Sequence, residues 1–290
     1  MVYHDGYYYL TTTTWSDIQV ARARTINELK TATFQTVWKD TTASRCCNMW
    51  APELHRVDGR WHLYYTAGPS GSDYSKTQKT WVLQGGTNHP MEPYTFLSEV
   101  NVGFPNLDSS VYQIGSKNYY LTCAWGSDGQ SVYIAELLSP GRIGPVTKIS
   151  SPTYSWEKQK WGVNEGPIGL TGPTGRNFIF FSSSSCETTY YSLGYIELTP
   201  GANPLSASSW KKNPNVQFQS GNGMYGPGHN GFFKSPSGKE DWIVYHANNS
   251  PQGTCDGNRR TNVQKVNWNS DGTPNLGSPV GENVQIAEPQ

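Results

Sequence analysis

The chain has 290 residues, and its 22 basic and 22 acidic side chains give a formal net charge of zero. This balance argues against nucleic acid or an anionic membrane as a partner, and no apolar run approaches the roughly 20 residues of a membrane-spanning helix. The 18 Tyr and 11 Trp, set among 30 Gly and 19 Pro, instead indicate a strand-rich protein that binds a polar ligand with flat faces.

The first residues have the pattern of a strand and not of a signal peptide. Residues 7–10 are Tyr-Tyr-Tyr-Leu, four threonines follow, and the first arginine is Arg22. The start therefore lacks both the basic and the apolar region of a signal peptide. Because the chain begins in a strand, we expect its natural N-terminus to lie upstream of Met1.

Five segments share one pattern, in which a turn is followed by a short aromatic strand and then by small polar residues. They begin at residues 7, 61, 119, 178 and 242, so successive copies are 54, 58, 59 and 64 residues apart. Each copy is followed by a further strand-like stretch, and the last four are also preceded by one, at residues 49–57, 107–114, 163–170 and 228–234. Residues 25–30 have the character of a single helical turn.

Five copies of a strand-rich unit of about 50 residues predict an all-β fold, a five-bladed β-propeller with one unit per blade. A β-sandwich with evenly spaced strands is the alternative, but the regular spacing favours the propeller. We expect residues 1–290 to form this single domain, with the first blade truncated at its N-terminal strand. The innermost strand of each blade lines the central channel, so these strands are where chemistry is expected.

The five cysteines leave at least one thiol unpaired in a monomer, and the absence of a Cys-x-x-Cys pair argues against a thiolate zinc site. Cys123 lies in an apolar strand and is expected to be a buried thiol. Cys186 and Cys255 fall in equivalent loops of neighbouring repeats and are candidates for a disulfide. Together with a glycosylation sequon at Asn248, these features favour a secreted protein, which we expect to be a monomer.

Ionisable side chains recur on the first strands of successive repeats. Asp108 precedes the aromatic strand of its repeat by 11 residues, and Glu165 and His229 precede theirs by 13. Taken singly, each has an ordinary explanation, as a turn residue, a solvated loop residue and a hydrogen-bonded core histidine, respectively. Their matched positions predict that they converge on the propeller axis. Burial and like charge would raise the carboxyl pKa values there, which suits a general acid.

The ordered motifs of the chain resemble those of glycoside hydrolase family 43, whose five-bladed propellers cleave arabinose- and xylose-containing polysaccharides. The resemblance runs from residue 1 to about residue 280 and is specific because the motifs occur together and in order. They are Trp50-Ala51-Pro52-Glu53-Leu54-His55, Leu107-Asp108-Ser109-Ser110-Val111, Asn164-Glu165-Gly166-Pro167, Gly228-His229-Asn230, Val244-Tyr245-His246-Ala247 and Gln264-Lys265-Val266-Asn267-Trp268.

The resemblance implies an inverting hydrolase that uses three carboxylates and requires no cofactor. It implies that Glu165 is the general acid that protonates the leaving glycosidic oxygen, and that Asp108 tunes the pKa of this acid and orients it. The third carboxylate, an Asp that acts as base on the attacking water, belongs to the first strand of the first blade. An inverting site needs about 6.5–9.5 Å between acid and base to admit this water, and different blades provide that spacing.

The general base is the point at which the chain departs from the family pattern. The family has an Ala-Asp-Pro-like stretch just ahead of the segment matched by residues 2–7, and this chain has none. Asp5 precedes Gly6 in a predicted hairpin turn and is interpreted as structural, as is Asp17 at the start of the next strand. We therefore expect the base to lie before Met1 in a lost segment, unless the protein is not a normal hydrolase.

The resemblance also implies binding roles for three further residues. His229 corresponds to an axial histidine that often contacts an ion, calcium or sodium, or a water. A single imidazole does not hold a metal alone, so no metal site is predicted. Arg259, or its neighbour Arg260, corresponds to an arginine that approaches the tuning Asp. Trp50 offers a stacking face for a sugar but is equally well explained as a core aromatic, and Glu53 is interpreted as structural.

The second and last repeats are most similar to the branch of the family that acts on arabinan chain ends and releases single L-arabinofuranose units. The expected partner is therefore plant cell-wall polysaccharide or oligosaccharide. An endo-arabinanase and a β-xylosidase are alternatives within the family. A catalytically inactive carbohydrate-binding propeller and a protein-interaction scaffold are alternatives of other classes, and the scaffold explains the convergence of Asp108 and Glu165 least well.

Overall fold

The protein is built as a ring of five antiparallel β-sheets. The computed structural model describes residues 1–252 and 255–290. Within each sheet the strands follow one another in the chain, and each sheet contacts the next in ring order. The predicted five-bladed β-propeller is thus confirmed, and the alternative β-sandwich is wrong.

The strands of the five blades have the following bounds. Blade 1 comprises β1 (Val2–His4), β2 (Tyr7–Thr13), β3 (Ile18–Ala23) and β4 (Gln35–Trp38), and blade 2 comprises β5 (Cys47–Val57), β6 (Arg60–Gly68), β7 (Lys79–Gln84) and β8 (Thr95–Glu99). Blade 3 comprises β9 (Leu107–Ile114), β10 (Lys117–Gly126) and β11 (Gly129–Ser139), with β12 (Arg142–Ile143) and β13 (Thr147–Ser150) both paired to β11. Blade 4 comprises β14 (Asn164–Thr171), β15 (Asn177–Ser183), β16 (Ser192–Leu198) and β17 (Trp210–Lys212). Blade 5 comprises β18 (Tyr225–Lys234), β19 (Asp241–Asn248) and β20 (Arg260–Lys265), beside a ribbon of β21 (Asn267–Trp268) and β22 (Pro274–Asn275).

Helical structure makes a small contribution to the described residues. It consists of α1 (Ile26–Leu29), α2 (Tyr74–Thr77) and two 3-10 turns, Ser155–Glu157 and Ala207–Ser209. Helix α1 is the predicted single helical turn. At its start, the side chain of Thr25 accepts a hydrogen bond from the backbone N–H of Glu28. This bond satisfies one of the free N–H groups at the helix N-terminus.

Tight turns join the first two strands of blades 1 and 2. Asp5-Gly6 and Asp58-Gly59 have φ angles of 46° and 80°, and of 51° and 76°, respectively. Two successive positive φ angles define the type I′ turn that matches the twist of a hairpin, and Asp-Gly is a preferred pair for it. The innermost strand of blade 1 has 3 residues, whereas those of blades 2 to 5 have 8 to 11.

The aromatic second strands are buried on both faces, which explains why their apolar residues run together and do not alternate with polar ones. Successive side chains of a strand point to opposite faces of the sheet. In blade 1, Tyr9 packs toward blade 2 and Tyr8 toward blade 5, while in blade 4 Phe180 packs toward blade 5 and Phe181 toward blade 3. The described residues form five apolar clusters, one at each blade interface.

The ring closes where blade 5 meets blade 1. An apolar cluster that contains Tyr8 and Trp242 fills this interface. The C-terminal residues cross it, and the Glu288 carboxylate accepts hydrogen bonds of 2.8 Å from the backbone N–H groups of both Ile26 and Asn27 at the start of α1. The last residues of the chain therefore fasten blade 5 to blade 1.

The cysteines form two disulfides and one buried thiol. The Cys186–Cys255 disulfide, with a Cα–Cα distance of 5.2 Å, joins loops of blades 4 and 5 as predicted, and Cys123 is the predicted buried thiol. A second disulfide links the adjacent residues Cys46 and Cys47, which the sequence pattern did not predict. Asn248 of the sequon has only 4% of its surface exposed, which argues against a glycan there in the folded protein.

We expect the Cys186–Cys255 disulfide to stabilise the fold, because its two cysteines are 69 positions apart in the chain. Restricting an unfolded loop of that length is worth about 4 kcal/mol in the chain-entropy model. The double variant C186S/C255S should lose free energy of unfolding of that order in urea denaturation. The matched control is C46S/C47S, which opens no loop and should lose much less. Equal losses in the two variants would contradict the explanation.

Candidate active site

The inner strands of blades 2 to 5 share a bulge that contains one left-handed residue. Ala51, Asp108, Gly166 and His229 have φ angles of 45°, 55°, 57° and 44°, and the pairing register with the second strand shifts at each of them. Three of the four are not glycine, although this conformation is unfavourable for residues with a side chain. The repeated bulge brings equivalent positions of successive blades together at the propeller axis.

Asp108 is buried at the centre of this group. Its Oδ2 atom accepts a hydrogen bond of 3.1 Å from the backbone N–H of Gly166 and lies 3.6 Å from Sγ of Cys123. Burial raises the pKa of Asp108 to about 6, although these two hydrogen bonds and the positive charge of Arg259 oppose the rise. The carboxyl therefore changes its charge near neutral pH and not near pH 4.

Glu165 lies beside Asp108 in the next blade. The hydroxyl of Tyr191 donates a hydrogen bond of 2.7 Å to its Oε1 atom. Burial, and then the negative charge of Asp108, raise the pKa of Glu165 to about 7, against the opposing effects of Tyr191, His229 and Arg259. The backbone N–H of Gly166 favours the ionised form of Asp108, and the negative charge of Asp108 opposes the ionisation of Glu165, so the proton favours Glu165. A carboxyl that is still protonated near neutral pH can donate a proton, as a general acid must.

Two stacked rings, those of Tyr191 and His246, connect Glu165 to Arg259. The ring of Tyr191 lies parallel to that of His246, at 5.7 Å between centroids, and Nε2 of His246 lies 3.1 Å from a guanidinium nitrogen of Arg259. Position 228 must be glycine for this arrangement, since a Cβ there would lie 2.1 Å from the Tyr191 ring. The sequence pattern did not predict Tyr191 as a site residue. Only the glycine of the Gly-His-Asn motif indicates that a ring packs closely at this place.

The structure places His229 beside both carboxyls. Its Nδ1 atom is 4.0 Å from Oδ2 of Asp108, and its backbone N–H donates to the Ser182 hydroxyl at 2.7 Å. Burial lowers the pKa of His229, which favours the neutral imidazole. Among the residues that the structure describes, no group of three or more His, Cys, Asp or Glu side chains is arranged to hold a metal ion.

The structure also separates the two arginine candidates. Arg259 reaches the site through its contact with His246, and its charge acts on Asp108 and Glu165 without a direct ion pair to either. Arg260 is exposed and lies 3.9 Å from a carboxylate oxygen of Glu282. Of the two, only Arg259 is therefore placed to influence the buried carboxyls.

A cavity of about 640 Å³ opens at this end of the axis. Its walls include four sequence-predicted residues, whereas Glu165 is not one of the lining residues and interacts with the cavity-lining Asp108. The four are Trp50, Asp108, His229 and Arg259.

Glu53 also lies on the cavity wall, although the sequence was interpreted as giving it a structural role. Burial raises the pKa of Glu53, and its nearest basic side chain, His55, is held neutral because burial lowers the pKa of that imidazole to about 3. Nε2 of His55 instead accepts a hydrogen bond of 3.2 Å from the backbone N–H of Val111. Glu53 is thus a third carboxyl on the cavity wall, with 23% of its side chain exposed, and it lies beside a neutral imidazole.

Asp5 and Asp17 of blade 1, which the sequence predicts to be structural, have surroundings that fit such a role. Asp5 lies in the type I′ turn described above, at a corner between two strands. Asp17 accepts hydrogen bonds from Thr14, Gln19 and Thr36. Although burial acts to raise it, these hydrogen bonds lower the pKa of Asp17. Their contacts agree with the interpretation of both residues as structural.

Comparison with known proteins gives first the class and then the family. The fold is similar to the crystal structure of an α-L-arabinofuranosidase from Lactobacillus brevis, with a TM-score of 0.90 and 32% sequence identity. The similarity covers 98% of this chain and 94% of the Lactobacillus chain. The protein is thus of the β-propeller glycoside hydrolase class. The sequence model described as glycosyl hydrolases family 43 matches residues 1–274, and the chain belongs to that family.

Two relatives of known sequence are similar over nearly the whole chain. The extracellular exo-α-(1→5)-L-arabinofuranosidase of Streptomyces avermitilis is 35% identical over 97% of this chain, and the α-L-arabinofuranosidase 43 of Humicola insolens is 34% identical over 95% of it. The chain spans 61% and 60% of the lengths of these two relatives. No helix in residues 1–252 and 255–290 is long and apolar enough to cross a membrane.

We expect E165Q to raise the stability of the protein at alkaline pH. The folded state holds the proton of Glu165 more tightly than the unfolded state, so ionisation destabilises the fold as pH rises from about 4.5 toward 7. A glutamine does not ionise. The free energy of unfolding of E165Q should exceed that of the wild type by on the order of 1–3 kcal/mol at pH 8, and this gain should vanish near pH 5.

The matched control for this measurement is D17N, because the pKa of Asp17 is lowered and not raised. Its carboxylate stabilises the fold above the unfolded-state pKa, so D17N should lose stability at pH 8. Urea denaturation at pH 5 and pH 8 separates the two effects. A lower free energy of unfolding for E165Q than for the wild type at pH 8 would contradict the expectation that ionised Glu165 destabilises the fold.

Proposed function

We propose that the protein is an inverting exo-α-L-arabinofuranosidase that releases L-arabinofuranose from arabinan or from arabinose-substituted plant polysaccharide. The observation that carries this proposal is the coupled carboxyl pair at the axis, with pKa values of about 6 for Asp108 and about 7 for Glu165 beside an open cavity. Family membership and the printed activities of the similar proteins support the substrate. The name of the Streptomyces relative supports action outside the cell, which we also propose for this chain, acting as a single-domain monomer.

In this proposal Glu165 is the general acid and Asp108 the residue that tunes it. Their surroundings support the assignment, because the negative charge of Asp108 raises the pKa of Glu165 and so favours the proton on that residue. The backbone N–H of Gly166 and the charge of Arg259 favour the ionised form of Asp108. Glu165 would then protonate the departing glycosidic oxygen while water attacks the opposite face of the sugar. Trp50 and His229, on the cavity wall, would contact the substrate.

For the attacking water, Glu53 is the candidate base among the described residues, because its carboxyl lies on the cavity wall and interacts with His229 and Asp108. Hydrolysis of arabinan that is lost in E53Q would assign the base to Glu53. Hydrolysis that survives in E53Q would exclude it. Binding of arabino-oligosaccharide without hydrolysis would favour the carbohydrate-binding alternative.

Removal of the proposed acid should abolish the reaction. We expect E165Q to reduce arabinose release from linear arabinan at least about 100-fold, the usual effect of losing a general acid. Nuclear magnetic resonance of the active form should show the β-anomer of arabinose as the first product, since the reaction inverts an α-linkage. E99Q is the matched control, because Glu99 forms an ion pair with Lys79 on the surface, and its activity should be unchanged. Activity in E165Q within tenfold of wild type would refute the assignment.

Removal of the Tyr191 hydroxyl should shift the pH dependence of the reaction. This hydroxyl donates to Glu165 and lowers its pKa, so in Y191F the pKa of Glu165 should rise. We expect the alkaline limb of the kcat profile to move up by about one pH unit, with a lower kcat because the acid is weaker. The matched control is Y190F, at the exposed neighbouring tyrosine, which should leave the profile unchanged. A Y191F profile identical to that of the wild type would contradict the role of this bond.

A further inference from the structure

Three aromatic side chains form a continuous surface that begins at the cavity and extends beyond its lining residues, which we call the aromatic wall: Trp15, Trp50 and Tyr74. The ring centroids of Trp15 and Trp50 are 5.3 Å apart, and those of Trp50 and Tyr74 are 5.0 Å apart, both in edge-to-face geometry. Trp15 lies between β2 and β3 of blade 1, whereas Tyr74 begins α2 of blade 2. Trp15 and Trp50 line the cavity that also contains Asp108 and His229.

Trp15 has a backbone conformation that its side chain does not favour. Its φ angle is 75°, in the left-handed region where a bulky residue is a rare exception. Two hydrogen bonds hold this loop against blade 2: the N–H of Met49 donates to the carbonyl of Trp15 at 3.1 Å, and the N–H of Ala51 donates to the Thr13 hydroxyl at 2.9 Å. Backbone strain that is maintained by its surroundings is found most often at functional sites.

Packing does not account for a tryptophan in this place. The side chains of Trp15 and Tyr74 remain 45% and 48% exposed, so their rings gain little from burial in the folded protein. Any residue that tolerates a positive φ, glycine above all, would satisfy the backbone better. The ring of Trp15 therefore needs an explanation other than the stability of the fold.

The chemistry of the wall points to a sugar. The indole N–H of Trp50 is buried and has no hydrogen-bond acceptor among the described residues, so the ring and not this N–H is what Trp50 presents to the cavity. The cavity walls beside Trp15 and Trp50 combine the hydroxyl side chains of Thr12 and Thr13 with apolar residues. A ligand that has both a flat C–H face and hydroxyl groups matches this surface.

We propose that the aromatic wall binds the arabinose units on the leaving-group side of the bond that is cleaved, so that Trp15 and Tyr74 select polymeric over small substrates. This inference rests on the proposed function. Asp108 lines the cavity and is 6% exposed, so the terminal sugar held by an exo-acting enzyme would lie beside it. The remainder of the polysaccharide must extend toward solvent, and the exposed rings of Trp15 and Tyr74 face solvent.

The sharpest variant is W15G, because glycine accepts a φ of 75° and removes the ring without disturbing the loop. We expect its melting temperature to equal or exceed that of the wild type. Its kcat/KM on linear arabinan should fall about tenfold, which corresponds to the loss of one aromatic stacking contact. On methyl α-L-arabinofuranoside, whose leaving group has no ring to contact the wall, kcat/KM should stay within about twofold of wild type. Y74A should show the same selective loss.

The matched control is W125A, since Trp125 is 44% exposed and lies at the corresponding end of the second strand of blade 3, away from the cavity. It should lose no activity on either substrate. The inference is overturned if W15G and Y74A leave arabinan hydrolysis unchanged, if they affect both substrates equally, or if W125A has the same effect. A fall in the melting temperature of W15G would indicate a structural role for the ring instead.

A binding measurement separates this inference from the proposed function. Calorimetric titration of E165Q and of E165Q/W15G with arabinopentaose needs no hydrolysis. Weaker binding in the double variant supports the aromatic wall even if the wild-type chain releases no arabinose. Equal binding by both variants overturns the wall even if the wild-type chain is an active arabinofuranosidase.

Discussion

Each blade can bury its two faces only against its neighbours, and the whole fold depends on this constraint. The second strand of a blade is covered on both sides, so Tyr8 and Tyr9 belong to different interfaces, as do Phe180 and Phe181. A ring with a gap would leave two apolar faces in water, so all five interfaces must form for the ring to be stable. The interface between blades 5 and 1 completes the fold, and Glu288 reinforces it by joining the C-terminal residues to α1.

The ring supports groups at its axis that an isolated sheet would not hold. Asp108 and Glu165 lose their hydration there, and Asp108 and His229 also adopt left-handed backbone conformations that are unfavourable by about 1–3 kcal/mol each. A fully buried aromatic side chain such as Tyr8 contributes about 1.5–3 kcal/mol, and every interface contains several large apolar residues. The unfavourable free energy of the buried carboxyls and of the left-handed residues is thus offset by apolar packing between the blades, at a distance from the axis.

Electrostatics within the buried network sets the order in which the two carboxyls ionise. Burial acts on both, and the charge of Arg259 favours the ionised form of both, so neither effect alone distinguishes them. Asp108 also accepts a backbone N–H from Gly166, while Glu165 experiences the negative charge of Asp108. These unequal surroundings leave the proton on Glu165 when Asp108 is ionised. These surroundings support the proposed roles, with Glu165 as the acid and Asp108 as the residue that tunes it.

The features that the sequence determined by itself depend on neighbours along the chain. The spacing of the aromatic strands predicted five blades, and one ionisable residue per repeat predicted that Asp108, Glu165 and His229 would meet, because equivalent positions of a propeller face one axis. Turn chemistry likewise predicted the Asp5-Gly6 hairpin. Tyr191 and Glu53 carry no such pattern, and only the tertiary structure brought them to the site. Contacts between blades depend on the packing angle of the sheets and on the paths of irregular loops, and no local periodicity records either.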